Sequence, residues 1–174
     1  QTMLFSATMP PEIMKMASTY MKLPVRVEIA RQGTTSENVT QELFIVGREQ
    51  KLSLLTKLLQ DYHGSTLVFT KTKYGAKKIT RQLKVTGVGV AEIPSNRSLG
   101  QRREALDGFK SGKYRVLIAT DIASRGIDVA GIELVINYDL PSTSHDYVHR
   151  IGRTARAGAG GHAITFAMPG DERD

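Results

Sequence analysis

Arg150, Arg153 and Arg156 stand three residues apart, with His149 just before them. A guanidinium is permanently charged and presents a planar fork of N–H donors, which suits phosphate oxygens. Arginines brought to a γ-phosphate from outside its cradle stabilise charge in phosphoryl transfer. Taken alone, this spacing is more often a solvated basic helix face. A second cluster runs Ala119-Thr120-Asp121-Ile122-Ala123-Ser124-Arg125-Gly126-Ile127-Asp128. It places two carboxylates, hydroxyls, an arginine and a glycine after an apolar run. An aspartate there can accept from ribose hydroxyls, and Gly126 permits a tight turn or close backbone approach. The same text also fits a capped turn in which Asp121 satisfies local amides. A third, Ser6-Ala7-Thr8, reads by itself as an ordinary cap before the proline-started segment at Pro10-Pro11.

Elements that could position these residues follow from periodicity. Gln1–Phe5 reads as the end of a buried strand, and so as part of a longer chain. Ile13, Met16, Ala17, Tyr20 and Met21 share a helix face that Pro24 ends, and Val25–Ile29 alternates like a half-exposed strand. Residues 31–38 are polar, with a Gly-Thr-Thr-Ser cluster, and read as a linker. Strands and helices then alternate. Strands are expected at Val39–Val46, Thr66–Phe69, Val88–Ile93, Arg115–Ala119, Leu134–Tyr138 and His162–Met168. Helices are expected around Leu52–Leu59, Ala76–Leu83, Ala105–Phe109 and Ser144–Ile151, the third opened by a Ser98/Gln101 capping box. Apolar strands alternating with helices predict an α/β fold: a parallel sheet with helices on both faces. Ligands of such sheets collect beyond the carboxyl ends of strands. Thr70-Lys71-Thr72, Pro94-Ser95-Asn96 and Thr120-Asp121 all follow strands directly.

Composition narrows the partner. The 174 residues carry a net charge of +7, a balance that fits a polyanion as well as a solvated basic surface. Aromatic residues make up only 6% and tryptophan is absent, so backbone contact is a better expectation than a base-stacking platform. Without cysteine there is neither a disulfide scaffold nor a Cys-ligated metal site, which fits a reducing, cytoplasmic setting. No apolar run reaches the length of a membrane span, and no secretory signal is visible.

Together the three clusters resemble the DEAD-box family of superfamily 2 RNA helicases. Ser6-Ala7-Thr8 is similar to its SAT motif, Ala119–Asp128 to ATDxAxRGxD, and His149–Arg156 to HRxGRxxR. Leu67–Lys73 resembles the family's strand-plus-threonine motif, and Ser98–Arg102 sits where it has Gln-x-x-Arg. The text is most similar to bacterial RhlE-type members. It departs from the pattern at Pro94-Ser95, where the family has His-Gly, and at Leu99, where the family has the glutamine.

The resemblance implies a RecA-like fold, with residues 1–30 a strand-helix-strand remnant of the first RecA-like domain, 31–38 a linker, and 39–174 the second domain. It implies that Arg153 and Arg156 reach ATP phosphates across an interdomain cleft, Arg156 being the better finger. Asp128 would contact the ribose, with Gly126 beside it. Thr72, Lys73, Arg102 and Thr120, helped by amides near Ser95, would hold RNA phosphates. Ser6, Thr8 and His149 would couple the two domains. Both arginines are expected to face open solvent in this chain.

No GxxxxGK[ST] loop occurs. Gly108–Lys113 resembles one only faintly and reads as a helix C-terminal turn. The Asp-Glu-Ala-Asp segment is missing as well. The phosphate cradle and the Mg2+ ligands are therefore expected in another domain, and this chain alone is expected not to hydrolyse ATP or bind it tightly. Parted from that domain, residues 1–30 have three courses: disorder, another docking, or exchange with a neighbouring copy. The competing readings are a non-catalytic RNA- or protein-binding module of the same fold, and a DNA helicase of the same superfamily.

Overall fold

Thr66-Leu67-Val68-Phe69 is buried at all four positions, and so are Val116–Ala119 and Leu134–Asn137. Strands with no solvated side are stable only in the middle of a sheet covered on both faces. The computed structural model shows what covers them; it describes residues 1–6, 9–27, 38–93, 98–124, 129, 131–155 and 160–171. The chain divides into two compact units, residues 1–34 and 35–174. The first contains α1 (Pro11–Tyr20). The second runs β1 (Val39–Ile45), α2 (Lys51–Asp61), β2 (Thr66–Phe69), α3 (Lys73–Val85), β3 (Val90–Ile93), α4 (Leu99–Lys110), β4 (Val116–Ala119), α5 (Asp121–Ser124), β5 (Leu134–Asn137), α6 (Ser144–Ile151) and β6 (Gly161–Ala167).

All strand pairs are parallel, and the order is β1-β6-β5-β2-β4-β3. Leu55 and Leu59 of α2, with Ala76, Ile79 and Leu83 of α3, pack on one face against Val68, Ile118, Ile136 and Phe166. Ala105 and Phe109 of α4 and Ala123 of α5 cover Leu67, Phe69, Leu117 and Val135 on the other. Ile151 of α6 packs on Ala163, which pairs with Val135 and so lies on that second face. This is the two-faced parallel sheet expected from the alternation. Burial of each large side chain, such as Phe69 or Phe166, contributes about 1.5–3 kcal/mol.

Register divides the sheet into two rims. Ile93, Ala119, Phe69, Asn137 and Thr165 form one row, and β3, β4, β2 and β5 all end on it. Val90, Val116, Thr66, Leu134 and His162 form the opposite row. Three residue steps of about 3.3 Å put the rows about 10 Å apart.

Helix starts are chemically specified. Ser98 accepts from the Gln101 amide while the Gln101 side chain accepts from the Ser98 amide, so the expected capping box is present. At the other end of α4, Gly112 takes φ +77° and the Ser111 amide bonds to Asp107. Gly108–Lys113 is thus a helix C-terminal turn rather than a phosphate loop.

The first unit corrects one expectation. Its helix forms where Pro10 and Pro11 place it, but none of its residues is buried. Gln1–Ser6 and residues 25–27 form no strand, and Met3, Phe5, Val25 and Val27 are exposed. A strand needs a paired neighbour for its N–H and C=O groups, and neither segment joins the six-stranded sheet. Glu28 and Ile29, which were to complete the second strand, lie outside the described residues, as do 31–37 of the expected linker. The helical turn of α5 was not foreseen; four residues carry too little periodicity to read.

Candidate functional site

Four candidate residues gather at the carboxyl rim. Thr72 follows β2 and caps α3, its Oγ1 accepting from the Gly75 amide at 3.0 Å. The cap occupies a lone pair and leaves the hydroxyl proton free to be donated to a phosphate oxygen. Thr70 shapes this corner by donating to the Thr72 carbonyl at 3.0 Å. Gly75 must stay small here, since a Cβ would lie 2.8 Å from Thr70 Oγ1. Lys73 is exposed next to the cap, and Arg102 is half-buried in the first turn of α4. Thr120, directly after β4, is buried, and its hydroxyl has no partner among the described residues. Leu99, at the first position of α4, is exposed and offers no hydrogen bond.

Arg150 is not where the three-residue repeat suggested. It is 2% exposed, and its Nε and a terminal nitrogen grip both oxygens of Asp121 at 2.6 and 2.8 Å. Its other nitrogen donates to the Asp139 carbonyl at 2.6 Å and to Asn137 Oδ1 at 3.3 Å, and the guanidinium lies over the Phe69 ring. Asn137 passes the network on to Thr165 at 3.1 Å. Asp121 therefore binds an arginine from a distant helix. Asp139 extends the set: its carboxylate accepts from the Lys71 amide at 2.9 Å and lies 3.8 Å from the buried Lys51 ammonium. Lys51 also donates to the Tyr138 carbonyl at 2.9 Å. Burial, and then the Asp139 charge, raises the Tyr138 phenol above its usual value of 10.0, against a smaller opposing pull from Arg48.

Arg153 sits elsewhere. Helix α6 leaves the carboxyl rim after β5 and runs back along the sheet. The turn that follows it is pinned by Thr154, whose hydroxyl donates to the Ile132 carbonyl at 2.5 Å, just before β5. Gly161, at the start of β6, packs beneath the turn; a Cβ there would lie 2.2 Å from Thr154 Oγ1 and 2.6 Å from the Ala155 amide. Ala155 itself holds φ +52°, a left-handed conformation that L side chains rarely adopt. Arg153 is thus at the amino rim, opposite Thr72, Arg102 and Thr120. It is half-buried, with its Nε covered, rather than open to solvent as expected, because the turn bearing it is docked on the sheet. His149 is half-buried on α6, its ring 4.1 Å from that of His145.

Ser6 is exposed and belongs to the first unit. Thr8, Ser95, Gly126, Asp128 and Arg156 lie outside the described residues. Among the described residues no group of three or more His, Asp or Glu side chains could hold a metal ion.

Comparison with known proteins bears on these rims. Residues 50–158 match the family described as the helicase conserved C-terminal domain. The E. coli DEAD-box protein SrmB, solved bound to regulator of ribonuclease activity A, is 32% identical with a TM-score of 0.72, over 79% of this chain and 82% of that one. This chain belongs to the C-terminal domain family of the DEAD-box RNA helicases. Another relative of the domain is the ATP-dependent RNA helicase vasa of Drosophila melanogaster, 43% identical over 99% of this chain. The chain spans 26% of vasa's length. The S. cerevisiae Dbp5 L327V structure bound to RNA and ADP BeF3 has a TM-score of 0.81 and 29% identity, covering 95% of this chain and 44% of that one.

Sequence reading missed Lys51, Asn137, Asp139 and Gly161, and gave Arg150 the wrong surroundings. One signal was available: Asn137 closes an otherwise apolar buried strand, and a buried amide requires partners.

Proposed function

We propose that this domain is the second motor half of an ATP-dependent RNA helicase, working through its two rims separately. The carboxyl rim holds RNA phosphates: Thr72 donates its free hydroxyl proton, Lys73 and Arg102 supply charge, and Thr120 supplies a hydroxyl whose hydrogen-bonding capacity is unmet. Ser95 amides contribute where the chain passes between β3 and α4. From the amino rim Arg153 reaches the γ-phosphate of ATP cradled by a preceding RecA-like domain, which would also hold the Mg2+ ion, and Arg156 serves the same phosphate as the finger. Asp128 and Gly126 serve the ribose side. His149, with Ser6 and Thr8, couples the domains, so that closure on ATP strains a bound RNA duplex and opens it locally.

The observation that supports this reading is that Thr72, Lys73, Arg102 and Thr120 follow the carboxyl ends of strands, while the turn bearing Arg153 is bonded beside the start of β5. The Arg150–Asp121 pair anchors α6 at the carboxyl rim. The RNA- and nucleotide-bound state of Dbp5, at a TM-score of 0.81, supports both ligands. Residues 1–30 we assign to the preceding domain; the exposed Met3, Leu4, Phe5, Val25 and Val27 support an apolar partner for them. A concentration-dependent dimer of the present chain would signal their exchange. The motif text supports a place among bacterial RhlE-type proteins, and a cytoplasmic setting accords with it.

The test is RNA-stimulated ATP turnover. The present chain should show none. Joined to the preceding domain it should turn over, and Arg153→Ala and Arg156→Ala should each lower kcat by about a thousandfold, the scale of an arginine finger. Turnover by the present chain would contradict the division of labour, and unchanged turnover in both variants would contradict the finger assignment. A non-catalytic RNA- or protein-binding module would bind without turnover even with the preceding domain restored.

A further inference from the structure

Helix α3 concentrates the charge of the whole chain. Its 13 residues include Lys73, Lys77, Lys78, Arg81 and Lys84, five of the 24 basic residues and none of the 17 acidic ones. It therefore supplies most of the net charge of +7. Its buried side is spent on the core through Ala76, Ile79, Thr80 and Leu83. The outward side forms a groove of about 470 Å³ lined by Tyr74, Lys77, Lys78, Arg81, Gln82 and Val85, without one carboxylate. None of these basic groups forms an ion pair among the described residues. Lys84 is different, since it lines a separate cleft with Glu92 and Glu104.

Uncompensated like charges at i, i+1 and i+4 destabilise a helix by a few tenths of a kcal/mol per pair, so their concentration on one face calls for a polyanion. The geometry identifies which kind. The groove is continuous with the carboxyl rim, because Thr72 caps this same helix and Lys73 is its first residue. Tyr74 stands at that end with its ring 74% exposed and the Lys73 ammonium 5.3 Å from its centre. One exposed ring beside evenly spaced cations suits a nucleobase next to its backbone phosphates. An acidic peptide would use the cations and leave the ring idle, and a membrane surface would not use cations spaced along a groove.

We infer that the outer face of α3 is a second RNA track, which takes the backbone of a strand as it leaves the carboxyl rim. Lys77, Lys78 and Arg81 hold phosphates, and a base stacks on Tyr74. The helix is about 20 Å long, so it reaches about three phosphates beyond the rim. This rests on the RNA-binding reading above and extends its footprint.

The experiment is fluorescence anisotropy with this chain and labelled RNAs of about 20 and about 6 nucleotides, over a salt series. K77E/R81E should weaken binding of the longer RNA about tenfold and flatten its salt slope by about 1.5, while changing the short RNA less than about twofold. Tyr74→Ala should weaken the longer RNA about fivefold with the slope unchanged. Circular dichroism melts should match, since all three side chains are exposed. Wild-type affinity for the longer RNA in K77E/R81E would overturn the track while leaving the rim reading intact. No binding of either RNA by the wild-type chain would overturn both. Loss of binding only to phosphatidylserine vesicles or to a polyglutamate peptide would assign the groove to another polyanion and also overturn it.

Discussion

Arg150 shows how one side chain can change function with burial. In the primary structure it is one of three equivalent guanidiniums; in the fold it is a structural cation with four oxygen partners and an aromatic floor. Breaking a buried pair leaves an uncompensated charge and costs about 3–5 kcal/mol. Asp121→Asn, which strands the buried guanidinium, should therefore lower the melting temperature by about 6–20 °C, Arg150→Gln, which leaves a partly exposed carboxylate, should lower it less, and Arg150→Lys should not rescue, because an ammonium cannot grip both oxygens of Asp121 and the Asp139 carbonyl together. The double variant Arg150→Met/Asp121→Leu should cost less than the sum of the single changes, since it leaves no orphaned charge. Melting curves with single-variant losses below about 1 kcal/mol would show that the pair is not structural. Sequence spacing could not separate Arg150 from Arg153, because spacing reports which face of a helix a residue takes and not what that face meets.

At the scale of elements, the legible features were those fixed by local chemistry. The Ser98/Gln101 box, the Thr66–Phe69 strand and the Ser144–Ile151 helix lie where periodicity and caps put them. Features fixed by a distant partner were not legible. Gln1–Phe5 has strand composition but no strand to pair with, and α5 is a single turn held by Ala123 in the core. Gly161 is where β6 passes beneath the arginine-bearing turn. Gly161→Ala should force that turn off the sheet, at a cost of about 1–3 kcal/mol. In the two-domain protein it should lower ATP turnover without weakening RNA binding. A crystal structure of the variant with Thr154 still bonded to Ile132 would contradict this. Residue identity at 161 therefore matters to the site through packing alone.

Across the whole domain, a short sheet sets about 10 Å between the two rims to which we assign RNA and ATP contacts, and one helix runs between them. Thr72, Lys73, Arg102 and Thr120 sit at one end, and Arg153 at the other. Charge follows the same division, with α3 carrying a basic surface away from the carboxyl rim. Sequence order hid this arrangement. Thr120 lies close in the chain to Asp128, and His149 to Arg153, although each pair was assigned to different tasks. The most direct test measures ATP turnover of the two-domain protein against RNA concentration. Arg153→Ala should lower kcat by about a thousandfold while the half-saturating RNA concentration stays within about twofold. Thr120→Val should raise that concentration several-fold and leave kcat at saturating RNA nearly unchanged. If Arg153→Ala shifts the RNA half-saturation as far as Thr120→Val does, the two rims do not act separately and the account is wrong.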